Sequence, residues 1–254
     1  ALVASLYDGL PGPVFRVPIG VAEMAKYVDN SFHALKVGFA NEIGAICKAS
    51  GCDSRDVMEI FKSDTKLNIS PAYLNPGFAF GGSCLPKDVR ALVYHARRSD
   101  VGVPILEGLL PSNEEHLRRA YEIVVAERPR RVGMFGLSFK AGTDDLRESP
   151  LGALAERLLG RGFELRIHDP LVASSTLLGA NRSYVESRIP HLSALMSDSP
   201  DEIVAESDLL IVGIAGPTVS AALAGAGERV VVDLVRYAGS ERLSGNPRYH
   251  GLCW

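Results

Sequence analysis

The chain has 254 residues, of which 46% are hydrophobic and 22% are charged. This is the composition of an ordinary globular protein, and the length allows two domains with cores of their own. The formal net charge of −3 predicts no partner among nucleic acids or membrane surfaces, and no apolar run approaches the ~20 residues that cross a bilayer.

The four cysteines, at positions 47, 52, 84 and 253, fit neither a disulfide scaffold nor a metal site. We predict reduced thiols in a cytoplasmic protein that binds no metal. The first residues carry neither a basic segment nor the cleavage site of a signal peptide. The chain does not begin with Met, which suggests a fragment of a longer protein.

The first predicted element is a long helix over residues 21–50. Apolar side chains recur in it every three or four residues, and no proline interrupts it. At ~1.5 Å per residue this helix is ~45 Å long, which exceeds the width of a small domain. We therefore expect it to bridge domains or subunits.

Further helices are predicted at residues 53–62 and 86–98. Between them, a polar and aromatic loop over residues 64–84 is longer than most connections, which favours a functional loop. Residues 104–127 are predicted to be helical again, with an interruption near Pro111.

Beyond residue 128 the pattern changes to alternating strands and helices with apolar runs, which predicts a parallel sheet covered on both faces. The fold class is therefore α/β, with a helical part over residues 1–127 and a Rossmann-like parallel α/β domain over 128–254. Strands are predicted at 131–139, 163–170, 209–215 and 229–235, and helices at 149–162, 200–208 and 218–227.

Cys84 is the cysteine whose surroundings indicate chemistry. It follows Gly81 and Gly82, which let backbone or a ligand come close, and it precedes a predicted helix. A helix N-terminus and the charge of Lys87 both favour a thiolate. Asp88 would lie one helical turn from the thiol, where it can hold a water molecule. The alternative is a small, buried apolar side chain, and the residues alone leave both open.

A second group lies on the long helix. Lys26, Asn30, His33 and Asn41 fall within a sector of ~80° at ~100° per residue. Asn and His are poor helix formers, so their presence needs another cause. They form either a row of donors for an oxyanion and ligand hydroxyls or an ordinary solvated face.

The third group is the loop over residues 136–150, between a predicted strand and helix, where parallel sheets bind ligands. Lys140 and Arg147 in this loop could bind phosphate. The chain contains no G-x-G-x-x-G dinucleotide motif. Asp169 and Asp233, at strand ends, are expected to help their loops turn.

Together these segments resemble the nucleotide-sugar 6-dehydrogenases, the family of UDP-glucose and GDP-mannose dehydrogenases. "FGGSCLPKD" (80–88) is similar to the family's catalytic-cysteine segment, residues 22–44 to its central helix, and residues 136–150 to the loop that opens its C-terminal domain. The match covers most of residues 20–254 in the right order. The cysteine segment and the ending "GLCW" are most similar to the bacterial GDP-mannose branch, which makes GDP-mannuronate for alginate.

The resemblance implies an enzyme that uses NAD and oxidises C6 of a nucleotide sugar to a carboxylate. The family's chains begin with an NAD-binding Rossmann domain that this sequence lacks. The chain would therefore be the C-terminal portion of the enzyme, inactive alone. It would contain the central helix with a dimerisation region that forms a homodimer, followed by a domain that binds the nucleotide sugar.

The resemblance also implies residue roles. Cys84 would attack the C6 aldehyde, Lys26 and Asn30 would stabilise the oxyanion, and Asp88 would position water. The remaining assignments are substrate binding by His33, Asn41, Asn68, Tyr73, Phe78 and Lys140, and cofactor binding by Lys87 and Arg147.

Two positions depart from the family pattern. Ala72 and Asn75 stand where close GDP-mannose relatives tend to carry Tyr and Arg, which contact nucleotide or sugar. UDP-glucose or a UDP-N-acetylhexosamine therefore remains an alternative substrate. A non-catalytic nucleotide-sugar-binding or dimerisation module is the alternative of another class, and it would need no nucleophile.

Overall fold

A computed structural model of the chain describes residues 9, 12–174, 192–243 and 245–253. The first part is helical, as predicted. Its helices are α1 (Ile19–Ala49), α2 (Ser54–Ser63), α3 (Leu85–Arg98) and α4 (Pro104–Ala126). The segment between α2 and α3 is a long irregular loop, again as predicted.

The predicted interruption near Pro111 is wrong, because α4 continues through this residue. Proline cannot donate the hydrogen bond that the carbonyl of Glu107 would otherwise accept. Leu106 before it and Leu117 after it are both buried and anchor the helix on either side. Packing of these apolar side chains outweighs one missing hydrogen bond.

The C-terminal third of α1 holds this helix to the rest of the chain. The buried carboxylate of Glu42 accepts hydrogen bonds from the backbone N–H groups of Ile105 (2.7 Å) and Leu106 (3.0 Å). These groups belong to the first turn of α4, where N–H groups have no partner within the helix. Ile46 packs beside them against Ala96 of α3. The first two thirds of α1 are exposed.

The second part is a parallel sheet of five strands in the order β2-β1-β3-β4-β5. This confirms the predicted α/β class. The strands are β1 (Arg131–Phe135), β2 (Glu164–His168), β3 (Leu209–Val212), β4 (Val230–Asp233) and β5 (Tyr249–Gly251), and the connecting helices are α5 (Pro150–Gly160), α6 (Pro170–Ser174), α7 (Leu192–Leu195), α8 (Pro200–Glu206) and α9 (Pro217–Leu223), with a 3₁₀ helix at Ser240–Leu243.

Side chains of alternating strand residues enter two different cores. On one face, Met134 and Ile211 pack under α4 and α5, which contribute Ala120 and Leu154. On the other face, strand side chains pack under α8 and α9. Burial on both faces explains why the strands read as continuous apolar runs. α4 therefore has two roles, since its N-terminal half contacts α1 and α3 and its C-terminal half covers the sheet.

The helical part ends at residue 126 and β1 begins at residue 131. The predicted division into domains 1–127 and 128–254 stays a prediction, because α4 belongs to the cores of both parts. Among the helices described in the structure, none is long and apolar enough to cross a membrane.

Candidate active site

Cys84 lies at the N-terminus of α3, with an exposed side chain. The backbone N–H of Asp88 donates to the carbonyl of Cys84 at 2.9 Å. This bond closes the first turn of the helix and places residue Asp88 one turn beyond residue Cys84, as the spacing predicted. The thiol is thus open to a ligand at a helix N-terminus, where backbone N–H groups have no partner within the helix.

Two cations lie near this helix end. The Nζ atom of Lys87 is 3.4 Å from an oxygen of Asp88, and both side chains are well exposed. Arg147 forms a two-point pair with Asp145 in its own loop, at 2.9 and 2.7 Å. The hydrogen bond with Asp145 is the main cause that raises the pKa of Arg147, and the charge of Cys84 acts in the same direction. The guanidinium of Arg147 is therefore paired mainly within its own loop.

The glycines before Cys84 permit a close approach of the two parts of the chain. A Cβ atom on Gly81 would lie 2.3 Å from the carbonyl oxygen of Glu148. Gly82 has a φ of +88°, and a Cβ atom there would lie 2.9 Å from the ring of Phe139. The expectation that these glycines allow backbone to come close is confirmed.

A cavity of about 470 Å³ lies at the carboxyl ends of the strands, and Phe139 is among the residues that line it. Phe78 from the loop over residues 64–84, called the cysteine loop below, and Lys140 from the loop after β1 both line it, so the structure brings two of the predicted substrate residues together. Its size and position are those of small-molecule sites in parallel α/β folds.

Arg236 and Tyr237 also line this cavity, and the sequence analysis did not select them. The buried Asp233 carboxylate fixes their loop, because it accepts hydrogen bonds from the backbone N–H of Val235 (3.0 Å), that of Tyr237 (3.2 Å) and the hydroxyl of Tyr249 (2.8 Å). Burial, followed by the charge of Asp233, raises the pKa of Tyr237 to about 12. The signal that could have found Arg236 is its place just after β4, equivalent to that of Lys140 after β1.

The carboxylate of Asp169, directly after β2, makes hydrogen bonds that stabilise the fold. One of its oxygens accepts hydrogen bonds from the backbone N–H groups of Leu137 (2.9 Å) and Ser138 (3.1 Å) and from the Ser138 hydroxyl (3.1 Å). In dinucleotide-binding sheets, an acidic residue near this place binds a ribose. Here the carboxylate instead holds the loop after β1, which confirms the predicted turn-stabilising role.

Replacing Asp169 with asparagine should lower the free energy of unfolding by about 2 kcal/mol, since hydrogen bonds to a charged group contribute about 1.5–3 kcal/mol. An amide would either turn its NH₂ group towards donors or lose several of the bonds. Urea denaturation of the 254-residue chain measures the change. Asp198→Asn, at an exposed position of the same sheet edge, is the matched control. Equal stability of the two variants would contradict this role.

The polar stripe of α1 is not joined to Cys84 by any contact. The side chains of Lys26, Asn30, His33 and Asn41 are exposed. Within residues 12–174, 192–243 and 245–253, none of the four makes a hydrogen bond or an ion pair. Their convergence on the thiol therefore stays a prediction.

The loop before Cys84 contains two further predicted residues. Asn68 donates from its side chain to the carbonyl of Phe61 at 3.0 Å, which ties the loop to α2. Tyr73 is 83% exposed and has a φ of +63°, in the left-handed region. Ala72 and Asn75 flank this exposed turn, so the two positions that depart from the family pattern lie where a ligand or a partner would have access.

Comparison with known proteins adds a family and relatives. The sequence profile of the UDP-glucose/GDP-mannose dehydrogenase family, central domain, matches residues 20–115, and that of the same family's UDP binding domain matches residues 133–237. A GDP-mannose 6-dehydrogenase of Pseudomonas putida is 48% identical over 254 residues, which are 100% of this chain and 58% of that relative.

Two solved structures are also similar. The crystal structure of a ternary complex of GDP-mannose dehydrogenase from Pseudomonas aeruginosa has a TM-score of 0.90 at 46% identity, and the alignment covers 100% of this chain and 58% of that one. A UDP-glucose dehydrogenase from Pyrobaculum islandicum has a TM-score of 0.59 at 29% identity, with 100% and 56% covered. The chain thus spans less than two thirds of the length of the relatives it matches.

Proposed function

Because the chain belongs to the UDP-glucose/GDP-mannose dehydrogenase family, we propose that it is the cysteine-bearing and nucleotide-sugar-binding portion of an NAD-dependent enzyme. The enzyme oxidises the C6 hydroxymethyl group of GDP-mannose to the carboxylate of GDP-mannuronate. The observation that carries the proposal is the exposed Cys84 thiol at the start of α3, with Asp88 one turn away and a cavity of about 470 Å³ behind the same loop.

Cys84 is the nucleophile in this proposal. Its thiolate adds to the C6 aldehyde and forms a C–S bond, and the carbonyl oxygen becomes the oxyanion of a thiohemiacetal. Loss of hydride from C6 converts the adduct into a thioester. Water then adds to the thioester, the C–S bond breaks, and the carboxylate leaves with the thiolate restored.

Three polar side chains support this sequence. Asp88 positions the water and accepts its proton as it attacks. Lys26 and Asn30 stabilise the oxyanion through charge and hydrogen bonding. Both side chains are exposed in the first two thirds of α1. In this proposal they reach the thiol only in the complete enzyme, through contacts that this chain alone does not make.

Two NAD molecules would each accept one of the two hydrides that leave C6. Among the described residues, we assign groups to the phosphates or the carboxamide side of this cofactor but not to its ribose. Lys87, three residues after Cys84, and Arg147, in the loop after β1, would supply cations for its phosphates or its carboxamide side. The carboxylate at the end of β2 is already used by Leu137 and Ser138, so this sheet offers no free acid there for a ribose.

The nucleotide sugar would lie between the cysteine loop and the sheet. Lys140 and Phe78, which line the 470 Å³ cavity, would contact it, and Arg236 adds a second cation for the diphosphate. Tyr73 and Asn68 would line the outer part of the loop. His33 and Asn41 would hold the ligand from α1, partly across a dimer interface.

The homodimer itself is part of the proposal. Along its exposed part, α1 presents an apolar stripe that a lone chain leaves in water, which is typical of an interaction surface. We propose that this part of the 1–127 region pairs with a second copy, while residues 128–254 form the nucleotide-sugar domain. The stripe comprises Val21 (52% exposed), Met24 (61%), Val28 (56%), Phe32 (39%) and Leu35 (47%).

Titration calorimetry on the 254-residue chain tests the substrate. We expect GDP-mannose to bind at least about tenfold more tightly than UDP-glucose, which corresponds to about 1.4 kcal/mol. Lys140→Ala should weaken both ligands, because the cation would contact the shared diphosphate. Lys62→Ala, on the exposed side of α2, is the matched charge control.

Each other outcome has a definite meaning. Tighter binding of the uridine compound would replace GDP-mannose by UDP-glucose or a UDP-N-acetylhexosamine. Binding of GDP-mannose by a full-length enzyme that releases no NADH would favour the non-catalytic binding module. Failure of both ligands to bind would remove nucleotide-sugar recognition from this chain.

A further inference from the structure

Asn113 of α4 reaches the backbone of the cysteine loop. Its side-chain oxygen accepts a hydrogen bond from the N–H of Phe80 at 2.8 Å, and its side-chain nitrogen donates to the carbonyl of the same residue, also at 2.8 Å. A primary amide thus satisfies both backbone groups of one residue, as a neighbouring strand would. Phe80 lies four residues before Cys84, so this pair anchors the backbone that leads to the thiol.

His116 makes a second contact from the same face of α4, three residues further on. Its Nε2 atom is 2.6 Å from the carbonyl oxygen of Gly77. A carbonyl can only accept, so Nε2 carries the hydrogen and donates it. Asn113 and His116 therefore hold the loop at two points, one on each side of Phe78.

The opposite side of the loop is held by the segment before α5. The N–H of Gly82 donates to the carbonyl of Glu148 at 3.3 Å. The Glu148 carboxylate in turn pairs with Arg90 of α3 through two hydrogen bonds, one of them at 3.0 Å. The loop is therefore fixed between α4 and residue 148, and α3 is tied to the same segment.

We propose that Asn113 is a positioning residue for the Cys84 nucleophile: its amide fixes the Phe80 backbone and so holds the thiol at the N-terminus of α3. The inference rests on the proposed function for the role of Cys84, but its physical content is the placement of the thiol. The amides of Asn and Gln carry a donor and an acceptor on the same carbon atom, which is the arrangement that this geometry uses.

A purely structural role for Asn113 would predict that its truncation lowers the stability of the whole chain, whereas the proposal predicts an effect on Cys84. The residue borders a cavity of about 740 Å³ that also exposes Phe80 and Arg90 to solvent. After truncation to alanine, water can reach the freed N–H and carbonyl of Phe80, so the chain should still fold. The loss should fall on the position of Cys84 rather than on the stability of the whole chain.

Alkylation of the 254-residue chain with iodoacetamide, followed by mass spectrometry of each cysteine peptide, separates these roles. Iodoacetamide reacts with the thiolate form of a cysteine, and unpaired N–H groups at a helix N-terminus interact favourably with an anion, so the rate depends on where the thiol lies. Asn113→Ala should slow the alkylation of Cys84 at pH 7 about three- to tenfold. Exposed Cys52 should react at its normal rate, and buried Cys47 should stay protected, which reports that the fold is intact.

Two variants complete the test. Asn113→Gln keeps both hydrogen-bonding groups and should recover part of the Cys84 rate. Ser112→Ala, an exposed neighbour on α4, should leave it unchanged. An unchanged or faster rate in Asn113→Ala overturns the proposal, and so does a slower Cys84 rate that is accompanied by exposure of Cys47.

The same variants separate this inference from the proposed function. In the full-length enzyme, Asn113→Ala should lower kcat for oxidation of the aldehyde about tenfold or more, with little change in the KM for the nucleotide sugar. If the unaltered full-length enzyme forms no acid, the proposed function fails, while the alkylation rates still decide whether Asn113 places the thiol. If alkylation slows but kcat does not, the positioning has no part in the reaction and the proposal is overturned.

Discussion

Replacing Cys84 with serine should lower formation of the sugar acid at least about 10³-fold, because the hydroxyl of serine is a far weaker nucleophile than a thiol. The measurement needs these 254 residues joined to the NAD-binding domain that the proposed function requires. NADH release and mass spectrometry of the nucleotide sugar then report the two oxidations separately. The first oxidation, from alcohol to aldehyde, involves no bond to sulfur and should persist.

The pattern of products is more informative than the loss of rate. An enzyme whose thiol carries the second oxidation should yield aldehyde, or its hydrate, and at most one NADH per sugar when Cys84 is replaced. Cys52→Ser, which removes another exposed thiol, should still give acid and two NADH. If Cys84→Ser makes acid at an undiminished rate, Cys84 is not the nucleophile.

Much of the fold is predictable because its signals are local. The period of α1 and the apolar runs of the sheet strands are set by which side chains are buried, and burial on both faces leaves a continuous pattern. The predictions of secondary structure fail where contacts between residues distant in the sequence determine the structure. Pro111 lies within α4 because residues far along the chain bury both flanks of that helix. β5 has only three residues and exists through pairing with β4, so nothing in its own sequence indicates a strand.

The candidate site likewise contains some residues that the local sequence indicates and others that only the folded chain shows. Cys84 was selected because two glycines and a predicted helix start surround it, and Asp88 because sequence spacing places it one helical turn further on; their catalytic roles stay predictions. Asn113 and His116 were missed, because a polar residue on a helix is normally solvated and only the folded chain shows that they face the cysteine loop. The polar stripe on α1 is a further example. Spacing places Lys26 and Asn30 on one face of the helix, but the local sequence does not indicate which residues or ligands that face contacts.

Gly81→Ala is the second substitution for which we expect a large effect, because the cysteine loop packs closely against Glu148 and Pro150. The new Cβ atom would lie 2.3 Å from the carbonyl oxygen of Glu148 and 2.5 Å from the ring of Pro150. Neither neighbour is the free end of a flexible side chain, so the loop itself must move. Overpacking of this kind costs about 1–3 kcal/mol, and a displacement of about 1 Å at a reacting group can lower the rate about 10²-fold.

We therefore expect Gly81→Ala to lower both the free energy of unfolding of the 254-residue chain and the rate of acid formation by the full-length enzyme. Gly108→Ala is the control, since a Cβ atom at this exposed position of α4 meets nothing within 4 Å. It should stabilise the helix by about 0.5–1 kcal/mol, because alanine is the better helix former. The two alanines thus have opposite expected signs in urea denaturation. If Gly81→Ala were as stable and as active as the unaltered protein, the close contact between the cysteine loop and residue 148 could not be what fixes the thiol.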